Sequence, residues 1–295
     1  MKQPVFRGSC TAIVTPFTAG RIDPEQMGKL LDFQAENGTK AIVVAGTTGE
    51  AATLEIHEYE SLVDLSVAHE AGRMKIIVGV GGNDTARCVE KARFASRAGA
   101  DAVLLTTPYY NKTTQRGLIA HFSRVADASE VPLILYNVPS RTGIGIAAET
   151  YRALAAHPNI NGVKEASGDF TLIGRVASEC AGALNLWSGN DSDTLPMIAL
   201  GAQGVVSVAS NLIPGAVEQL CELCFANNYP AARSLFQQYA PLFRALFLET
   251  NPIPVKTALA LLGRDSGALR LPLVPMAPDH LEELKNCLLA SGLSP

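Results

Sequence analysis

A chain of 295 residues, 47% hydrophobic and 18% charged, is long enough to bury a sizeable core, as a soluble globular protein does. Its net charge of -4 comes from 24 basic and 28 acidic residues without long blocks of one sign, which argues against nucleic acid or an anionic membrane as partner. We see no secretory signal and no apolar run of the roughly 18 residues that a membrane span needs. We therefore expect a cytoplasmic protein that acts on a small metabolite.

The first two thirds of the chain contain eight short apolar runs, bounded by Gly, Pro or polar residues, that predict β-strands. These runs are 11–15, 41–45, 76–80, 102–106, 132–136, 160–164, 184–187 and 204–208. Their starts lie 20 to 35 residues apart, which leaves room for one helix between neighbouring strands. Three of these helices begin at typical capping sequences: Asp23-Pro24-Glu25, Asn83-Asp84-Thr85 and Ser167-Gly168-Asp169.

The alternation of strands and helices predicts an α/β fold. Continuous apolar runs indicate strands buried on both faces, and the helices between them require parallel pairing. Eight such units close most naturally into a (β/α)8 TIM barrel. A doubly wound open sheet is the structural alternative, but it would more often carry a glycine-rich fingerprint where this chain has Thr15-Pro16-Phe17.

The strand pattern ends at about residue 212, and four helical segments follow. They are 214–225, 230–247, 254–262 and 278–290. The first would complete the barrel as its eighth helix. We therefore divide the chain into a catalytic barrel, residues 1–226, and a C-terminal helical extension, residues 227–295.

The six cysteines are scattered along the chain rather than forming a dense disulfide framework. Cys221 and Cys224 form a C-x-x-C motif, yet no second pair accompanies them and no histidine lies at ligand spacing. We interpret them as ordinary buried thiols, and we predict no metal site.

Of the nine lysines, only Lys164 closes an apolar strand at its carboxyl end, where the functional groups of a TIM barrel gather. Burial there favours the neutral amine, which is the form that attacks a carbonyl carbon. The alternative is a lysine that reaches solvent or pairs with Glu165. Four other lysines fall on predicted helices, where a solvated charge is a sufficient explanation: Lys29, Lys91, Lys256 and Lys285.

Three loops at the same end of the barrel carry polar groups. The segment Gly46-Thr47-Thr48-Gly49-Glu50 can form a nest for a small anion such as a carboxylate, and a helix beginning just beyond would add its positive end. A capping turn with a threonine as N-cap is the alternative. The loop 107–111 contains two adjacent tyrosines, for which simple packing is an alternative explanation.

The fifth strand ends in Tyr136, and Arg141 follows after one short loop. A phenol there can pass protons, and a guanidinium can bind a carboxylate with two hydrogen bonds. A structural tyrosine and a surface arginine are the alternatives. Together with the amine of Lys164 and the anion nest, these groups form the kind of constellation that an active site requires.

In combination and in order, these motifs resemble the dihydrodipicolinate synthase family, within the wider group of pyruvate-dependent lyases that includes N-acetylneuraminate lyase. The resemblance runs from about Gly8 to the end of the chain. It is most specific at 46–50, 107–111, 136–143, 163–168 and 251–256. Three residues depart from the family pattern, since serine, threonine and aspartate are usual where this chain has Ala51, Val80 and Asn190.

The resemblance implies a role for each residue of the pyruvate site. Lys164 would form the imine with pyruvate, and Thr47 and Thr48 would hold the pyruvate carboxylate. Tyr136 would shuttle protons, linked through Thr47 to Tyr110, which in this family reaches across from a partner subunit. The resemblance therefore implies at least a dimer, and a homotetramer made of two dimers is usual in the family.

The resemblance also implies the second substrate. Arg141 would bind the carboxylate of the incoming aldehyde, aspartate semialdehyde, while Gly189 and Val206 match further positions around the pyruvate pocket. The implied reaction forms 4-hydroxy-tetrahydrodipicolinate for lysine and diaminopimelate biosynthesis. It proceeds through a covalent imine on Lys164 and needs no metal or organic cofactor.

Two alternative functions stay open at this point. Asn190 and Asp191, near the second-substrate pocket, leave room for a pyruvate-dependent lyase of sugar-derived or hydroxylated acids, although Arg141 favours an aldehyde that carries a carboxylate. A non-catalytic binder of small acids would keep the anion nest but need no lysine nucleophile, so the presence of Lys164, Tyr136 and Tyr110 argues against it.

We expect no useful inhibition by lysine. In family members that lysine inhibits, an acidic residue and a histidine help to bind it, and the matching residues here are Arg87 and Ile56. An arginine would repel the ammonium group of the effector. A steady-state assay with millimolar L-lysine, against a salt control of equal ionic strength, should show unchanged turnover; clear inhibition would contradict this expectation.

Overall fold

The computed structural model describes residues 1–70 and 72–294. Eight parallel strands close into a barrel in which each strand pairs with the next one along the chain and the last pairs with the first. The barrel strands are β1 (Gly8–Ala12), β4 (Ala41–Val44), β5 (Lys75–Gly79), β6 (Ala102–Thr106), β7 (Leu133–Asn137), β8 (Ile160–Glu165), β9 (Asn185–Ser188) and β10 (Gly204–Ser207). A short antiparallel hairpin, β2 (Phe17–Thr18) and β3 (Arg21–Ile22), follows β1. The predicted (β/α)8 barrel is confirmed.

Helices separate the barrel strands. They are α1 (Pro24–Glu36), α2 (Ile56–Glu70), α3 (Thr85–Ala98), α4 (Gln115–Ala128), α5 (Pro139–Thr142), α6 (Ala148–Ala155), α7 (Phe170–Glu179), α8 (Thr194–Ala199) and α9 (Pro214–Phe225). The side chains of Asp23, Asp84 and Asp169 each accept a backbone N–H in the first turn of a helix, as their positions in the sequence predict. Helix α9 completes the barrel.

The first strand lies three residues before its predicted position, at Gly8–Ala12 instead of 11–15. Small residues allow β1 and β10 to approach closely: a Cβ atom on Gly204 would stand 1.8 Å from the carbonyl oxygen of Gly8. The backbone of Gly204 has a φ of +143°, which favours glycine. Because glycine and serine have weak strand propensity, the apolar pattern placed this strand too late. The hairpin β2–β3 was not predicted.

The amino-terminal end of the barrel is filled with apolar side chains. The ring of Phe6 stacks on that of Trp187 with centroids 5.0 Å apart, and the indole N–H of Trp187 donates to the Phe6 carbonyl at 3.2 Å. These rings belong to a buried cluster inside the barrel that also contains Cys10, Tyr136 and Val206. A second, larger cluster fills the layer between the strands and the surrounding helices. The space for a functional site therefore lies at the carboxyl ends of the strands.

The C-terminal extension contains α10 (Tyr229–Ala245), α11 (Ile253–Leu261) and α12 (Pro278–Ala290). Helix α10 packs against α9 and α12, and α11 packs against α12. The segment that joins α10 to α11 runs along the open end of the barrel. The division of the chain at residue 226 stays a prediction. No helix in the described ranges has both the length and the apolarity that a membrane crossing demands.

We expect Gly162→Ala in β8 to destabilise the protein by about 1–3 kcal/mol, because the added methyl group cannot fit. Its carbon would stand 2.3 Å from the carbonyl oxygen of Asn185 on β9. Gly174→Ala in α7 is the matched control, since the added carbon would meet nothing within 4 Å beyond its chain neighbours and the nearby backbone of its own helix. It should stabilise the protein by up to about 1 kcal/mol. Urea denaturation measures both, and equal effects would contradict this account of barrel packing.

Candidate active site

The open end of the barrel leads into a cavity of about 1580 Å³. Six of the eight site residues predicted from the sequence line this cavity: Thr47, Thr48, Tyr136, Arg141, Lys164 and Gly189. Tyr110 and Val206 do not. Tyr110 lies on the outer surface, and Val206 is buried inside the barrel. Among the described residues, no group of three or more His, Cys, Asp or Glu side chains is arranged to hold a metal ion.

Lys164 projects from the carboxyl end of β8 towards the barrel axis. It is opposite Tyr136 in the register of β7 and β8, and its Nζ lies 4.3 Å from the centroid of the Tyr136 ring. The residue is 6% exposed. In residues 1–70 and 72–294 its Nζ has no hydrogen-bonding or ionic partner, although it reaches the cavity. A cavity-facing amine that is shielded from water and has no counter-ion in contact is suited to nucleophilic attack.

Glu165, the neighbour that could have paired with Lys164, faces the opposite side of β8. Its carboxylate accepts hydrogen bonds from the Asn137 amide at 3.0 and 3.1 Å and from the Tyr151 hydroxyl at 2.6 Å. The backbone N–H of Ser167 donates to it at 2.8 Å. Burial, followed by the charge of Glu165, raises the pKa of Tyr151 well above its usual value, so the phenol stays a donor. The alternative of a Lys164–Glu165 pair is therefore wrong, because adjacent strand residues point to opposite faces.

Gly189 gives the Lys164 side chain its space. A Cβ atom on Gly189 would stand 3.2 Å from Cε of Lys164 and 2.6 Å from Cβ of Ala166. The backbone N–H of Gly189 also donates to the Glu165 carbonyl at 2.7 Å, which holds the chain close to β8. Any larger residue would push against the lysine stem.

The anion-nest segment 46–50 leaves β4 and turns back over the barrel. Thr47 is exposed to the cavity, whereas Thr48 is buried, and Glu50 has a φ of +53° in the left-handed region. No α-helix begins just beyond the segment: a short 3-10 turn at Ala51–Thr53 intervenes, and α2 begins at Ile56. The expected helix terminus at this loop is therefore wrong. Neither threonine caps the 3-10 turn, since no side chain does so.

Lys256, in the C-terminal extension, holds the segment 46–50 through Glu50. Its Nζ donates to Glu50 Oε1 at 2.7 Å and to the Thr15 carbonyl at 2.9 Å, and it lies 4.3 Å from the centroid of the Phe17 ring. Lys256 is fully buried, so its interpretation as a solvated helix charge is wrong. Burial lowers its pKa, and the hydrogen bond and charge of Glu50 oppose that shift. Lys91, another of the four helix lysines, is half-buried and lines the cavity.

Arg270, also from the extension, contacts Glu50 at the end of this segment and Glu58 in α2. Its backbone N–H donates to Glu50 Oε2 at 3.0 Å, and its guanidinium pairs with Glu58 at 2.5 and 2.6 Å. The hydrogen bond to Glu58 raises the pKa of the arginine. These contacts were not predicted from the sequence, because Glu50 and Arg270 are 220 residues apart and no local pattern links them.

Asn251 connects the two groups expected to bind carboxylates. Its Nδ2 donates to Thr48 Oγ1 at 2.8 Å, and its backbone carbonyl accepts from Arg141 Nη2 at 3.3 Å. Asn251 is buried, whereas the exposed Arg141 borders the cavity. In the sequence, Asn251 stands out only as part of the motif 251–256, which by itself predicts no role for it.

Tyr110 stands apart from the other predicted site residues. It is 91% exposed, and its φ of +67° lies in the left-handed region that a bulky residue seldom adopts. The N–H of Asn111 donates to the carbonyl of Tyr109 at 2.9 Å, so Tyr110 is the central residue of a γ-turn. The turn presents the aromatic ring of Tyr110 to the outside of the folded chain.

Asp191 does not face the second-substrate pocket, contrary to expectation. Its carboxylate accepts hydrogen bonds from the Ser207 hydroxyl and from the N–H groups of Val208 and Ala209, the latter two at 3.1 and 3.0 Å. Burial raises the pKa of Asp191, while these bonds lower it. Asn190 does line the cavity, where its amide donates to Asp193 at 2.8 Å. One of the two residues that left room for a sugar-acid lyase thus has a structural role, since it caps the turn that follows β10.

Comparison with known proteins links this chain to one family. A model of the dihydrodipicolinate synthetase family matches residues 5–291. The 4-hydroxy-tetrahydrodipicolinate synthase of Thermoanaerobacter sp. (strain X514) is 45% identical over 291 residues, 98% of each chain. The crystal structure of dihydrodipicolinate synthase from Aquifex aeolicus gives a TM-score of 0.96 at 42% identity, covering 98% of this chain and 99% of that one. The crystal structure of the chloride-inhibited dihydrodipicolinate synthase from Acinetobacter baumannii, complexed with pyruvate, gives a TM-score of 0.96 at 41% identity, with the same coverage.

We expect Lys256→Met to destabilise the protein by about 3–5 kcal/mol, because it leaves the Glu50 carboxylate buried without its cationic partner. Lys29→Met is the matched control: the Lys29–Glu25 pair has the same 2.7 Å distance, but both side chains are exposed. It should change stability little, because water screens the pair. Urea denaturation at neutral pH distinguishes the two variants. Similar effects would show that burial of the Lys256 pair does not matter.

Proposed function

This chain belongs to the dihydrodipicolinate synthetase family, and we propose that it is a Schiff-base-forming lyase that condenses pyruvate with L-aspartate 4-semialdehyde to 4-hydroxy-tetrahydrodipicolinate. The observation that carries the proposal is the amine of Lys164, which is buried, has no counter-ion in contact within the described chain and lies at the open end of the barrel. The names of the curated relatives supply the product, and the cavity supplies the groups that the chemistry needs.

Lys164 would supply the nucleophile. Its neutral amine attacks C2 of pyruvate, and loss of water gives an imine that takes up a proton on nitrogen. The protonated imine withdraws electrons, so C3 can lose a proton and become a carbon nucleophile. C3 then bonds to the aldehyde carbon, whose oxygen takes up a proton. The amino group of the former semialdehyde closes the ring at C2 and displaces the lysine as a free amine.

Thr47, Thr48 and Tyr136 would serve the first substrate. The two threonines follow β4 on the wall that faces Lys164, where their hydroxyl and backbone donors can bind the carboxylate of pyruvate. Tyr136 lies beside the amine and can carry protons to and from the reacting centre. Gly189 would contribute room, and Val206 would support the floor of the pocket from inside the barrel.

Arg141 supports an aldehyde that itself carries a carboxylate. Its guanidinium borders the cavity and is oriented by the carbonyl of Asn251. A planar guanidinium recognises a carboxylate through two parallel hydrogen bonds. A lyase of sugar acids would have less need of this group, and Asp191 does not line the cavity. A non-catalytic binder would require neither Lys164 nor its neighbour Tyr136.

Tyr110 supports an assembly of at least two subunits. A fully exposed aromatic ring on a strained turn is costly for an isolated chain, but it is suited to insertion into a partner. We infer that Tyr110 completes the proton relay of a second subunit through Thr47, within a homotetramer of two such dimers. We further infer a cytoplasmic location, and chemistry that uses the imine on Lys164 with no metal or organic cofactor.

Borohydride reduction in the presence of pyruvate should attach a stable adduct to Lys164, because it reduces the imine to a secondary amine. Lys164→Ala should lose the adduct and the synthase activity. Lys91→Ala is the matched control, since Lys91 also lines the cavity and burial lowers its pKa. This variant should keep the adduct. Peptide mass spectrometry locates the modification, and an adduct on Lys91, or one that persists in Lys164→Ala, would contradict the proposal.

Arg141→Ala should lower kcat/KM for aspartate semialdehyde about 10- to 100-fold, the range expected when a hydrogen-bonded charge pair is lost. Trapping of pyruvate should be unchanged, because Arg141 acts only on the second substrate. Steady-state kinetics with each substrate varied in turn separates the two effects. If the variant lost only pyruvate binding, the assignment of Arg141 to the aldehyde substrate would be contradicted.

A further inference from the structure

We propose that Asn251, a residue of the C-terminal extension, is the positioning residue that orients both carboxylate-binding groups of the site. Its side-chain amide directs the Thr48 hydroxyl towards the pyruvate carboxylate, and its backbone carbonyl holds Arg141 for the aldehyde carboxylate. This inference rests on the function proposed above. It adds a residue of the extension to a site otherwise built from the barrel.

The direction of the hydrogen bond decides what Thr48 can do. An amide NH2 group only donates, so Thr48 Oγ1 is the acceptor in the 2.8 Å contact with Asn251 Nδ2. One lone pair of the hydroxyl is thereby occupied, and its proton stays available. In the described chain the Thr48 hydroxyl has no acceptor of its own. A carboxylate bound beside the anion-nest segment 46–50 is the acceptor that this proton lacks.

The environment of Asn251 indicates a role other than stability. Asn251 is 5% exposed, and its Oδ1 is buried without a hydrogen-bond partner among the residues that the structure describes. An unpaired buried acceptor weakens the folded state, and such groups are concentrated where function requires them. The orientation that leaves Oδ1 unpaired is the one that presents Nδ2 to Thr48.

Helix α11 makes this arrangement rigid. It begins at Ile253, two residues after Asn251, and Lys256 in its first turn pairs with Glu50. The start of α11 is therefore tied to the segment 46–50 at two points, Thr48 and Glu50. A group that positions a substrate-binding hydroxyl must itself be held firmly, and the buried ion pair meets this need.

Two substitutions of Asn251 test the hydrogen-bond direction. Asn251→Ala should raise the KM for pyruvate about 3- to 10-fold, because Thr48 loses its fixed orientation. Asn251→Asp should raise the KM for pyruvate further, about 10- to 100-fold. The new carboxylate would accept the hydrogen bond of the Thr48 hydroxyl and would repel the carboxylate of pyruvate. The KM for aspartate semialdehyde should change by less than about twofold in both variants, since the backbone carbonyl that holds Arg141 remains. If the KM for pyruvate of Asn251→Asp were no higher than that of Asn251→Ala, the assigned direction of the hydrogen bond would be overturned.

A double-mutant cycle with Thr48→Val tests whether Asn251 acts through Thr48. In the Thr48→Val background, Asn251→Ala should have no further effect on the KM for pyruvate, whereas independent roles would give additive losses. Asn161→Ala is the matched control: Asn161 is also buried, and its amide donates to the Gln3 carbonyl at 2.8 Å at the other end of the barrel. It should leave the KM for pyruvate unchanged. A rise equal to that of Asn251→Ala would make the effect one of general stability and overturn the proposal.

Borohydride trapping of the unsubstituted protein separates the two levels of inference. If it forms no pyruvate adduct on Lys164, the proposed function itself fails. If the adduct forms and Asn251→Ala leaves the KM for pyruvate unchanged, only the role of Asn251 fails.

Discussion

The parallel register of β7 and β8 is the constraint on which the site depends. It places Tyr136 opposite Lys164 and Asn137 opposite Glu165. Because successive side chains alternate between the two faces, the first pair enters the barrel and the second lies in the outer layer. Glu165 bonds to Asn137 and Tyr151 there and fastens the two strands together. The hydrogen bonds that stabilise this wall are thus kept apart from the Lys164 amine inside the barrel.

The two buried lysines of this chain show how the same side chain serves opposite purposes. Lys256 is enclosed together with a carboxylate, a carbonyl and an aromatic ring, so its charge is compensated and its role is structural. Lys164 has an aromatic neighbour but no carboxylate in contact within the described residues. Within that part of the chain its Nζ is not engaged by a counter-ion and reaches the cavity, which is the arrangement that attack on a carbonyl requires.

The extension is as much a part of the site as the barrel is. Three of its residues bind the loop that follows β4 or the helix beyond it: Asn251, Lys256 and Arg270. The loop itself has a left-handed residue and no α-helix immediately after it, so its own backbone supplies little rigidity. Its geometry is instead maintained by long-range polar contacts, of which the Lys256–Glu50 pair is the most deeply buried.

The sequence by itself determined the barrel, the order of its helices and most of the candidate site residues at its open end, although not the places of Tyr110 and Val206. These features depend on local signals: apolar runs of strand length, capping aspartates and the position of Lys164 at the end of a strand. The first strand was misplaced, because Gly8 and Ser9 have weak strand propensity. They suit contacts with distant segments instead: a Cβ atom on Gly8 would meet the Glu218 carboxylate, and the Ser9 hydroxyl donates to Glu218.

Only the tertiary structure decided which polar residues act together. From the sequence, Lys256 was interpreted as a surface charge, because its partner Glu50 is 206 residues away. Asp191 was interpreted as a pocket residue, because its partners are 16 to 18 residues away. Asn251 meets Thr48 across 203 residues. Burial and hydrogen bonding between distant segments depend on how the chain closes on itself, and no short window of sequence contains that information.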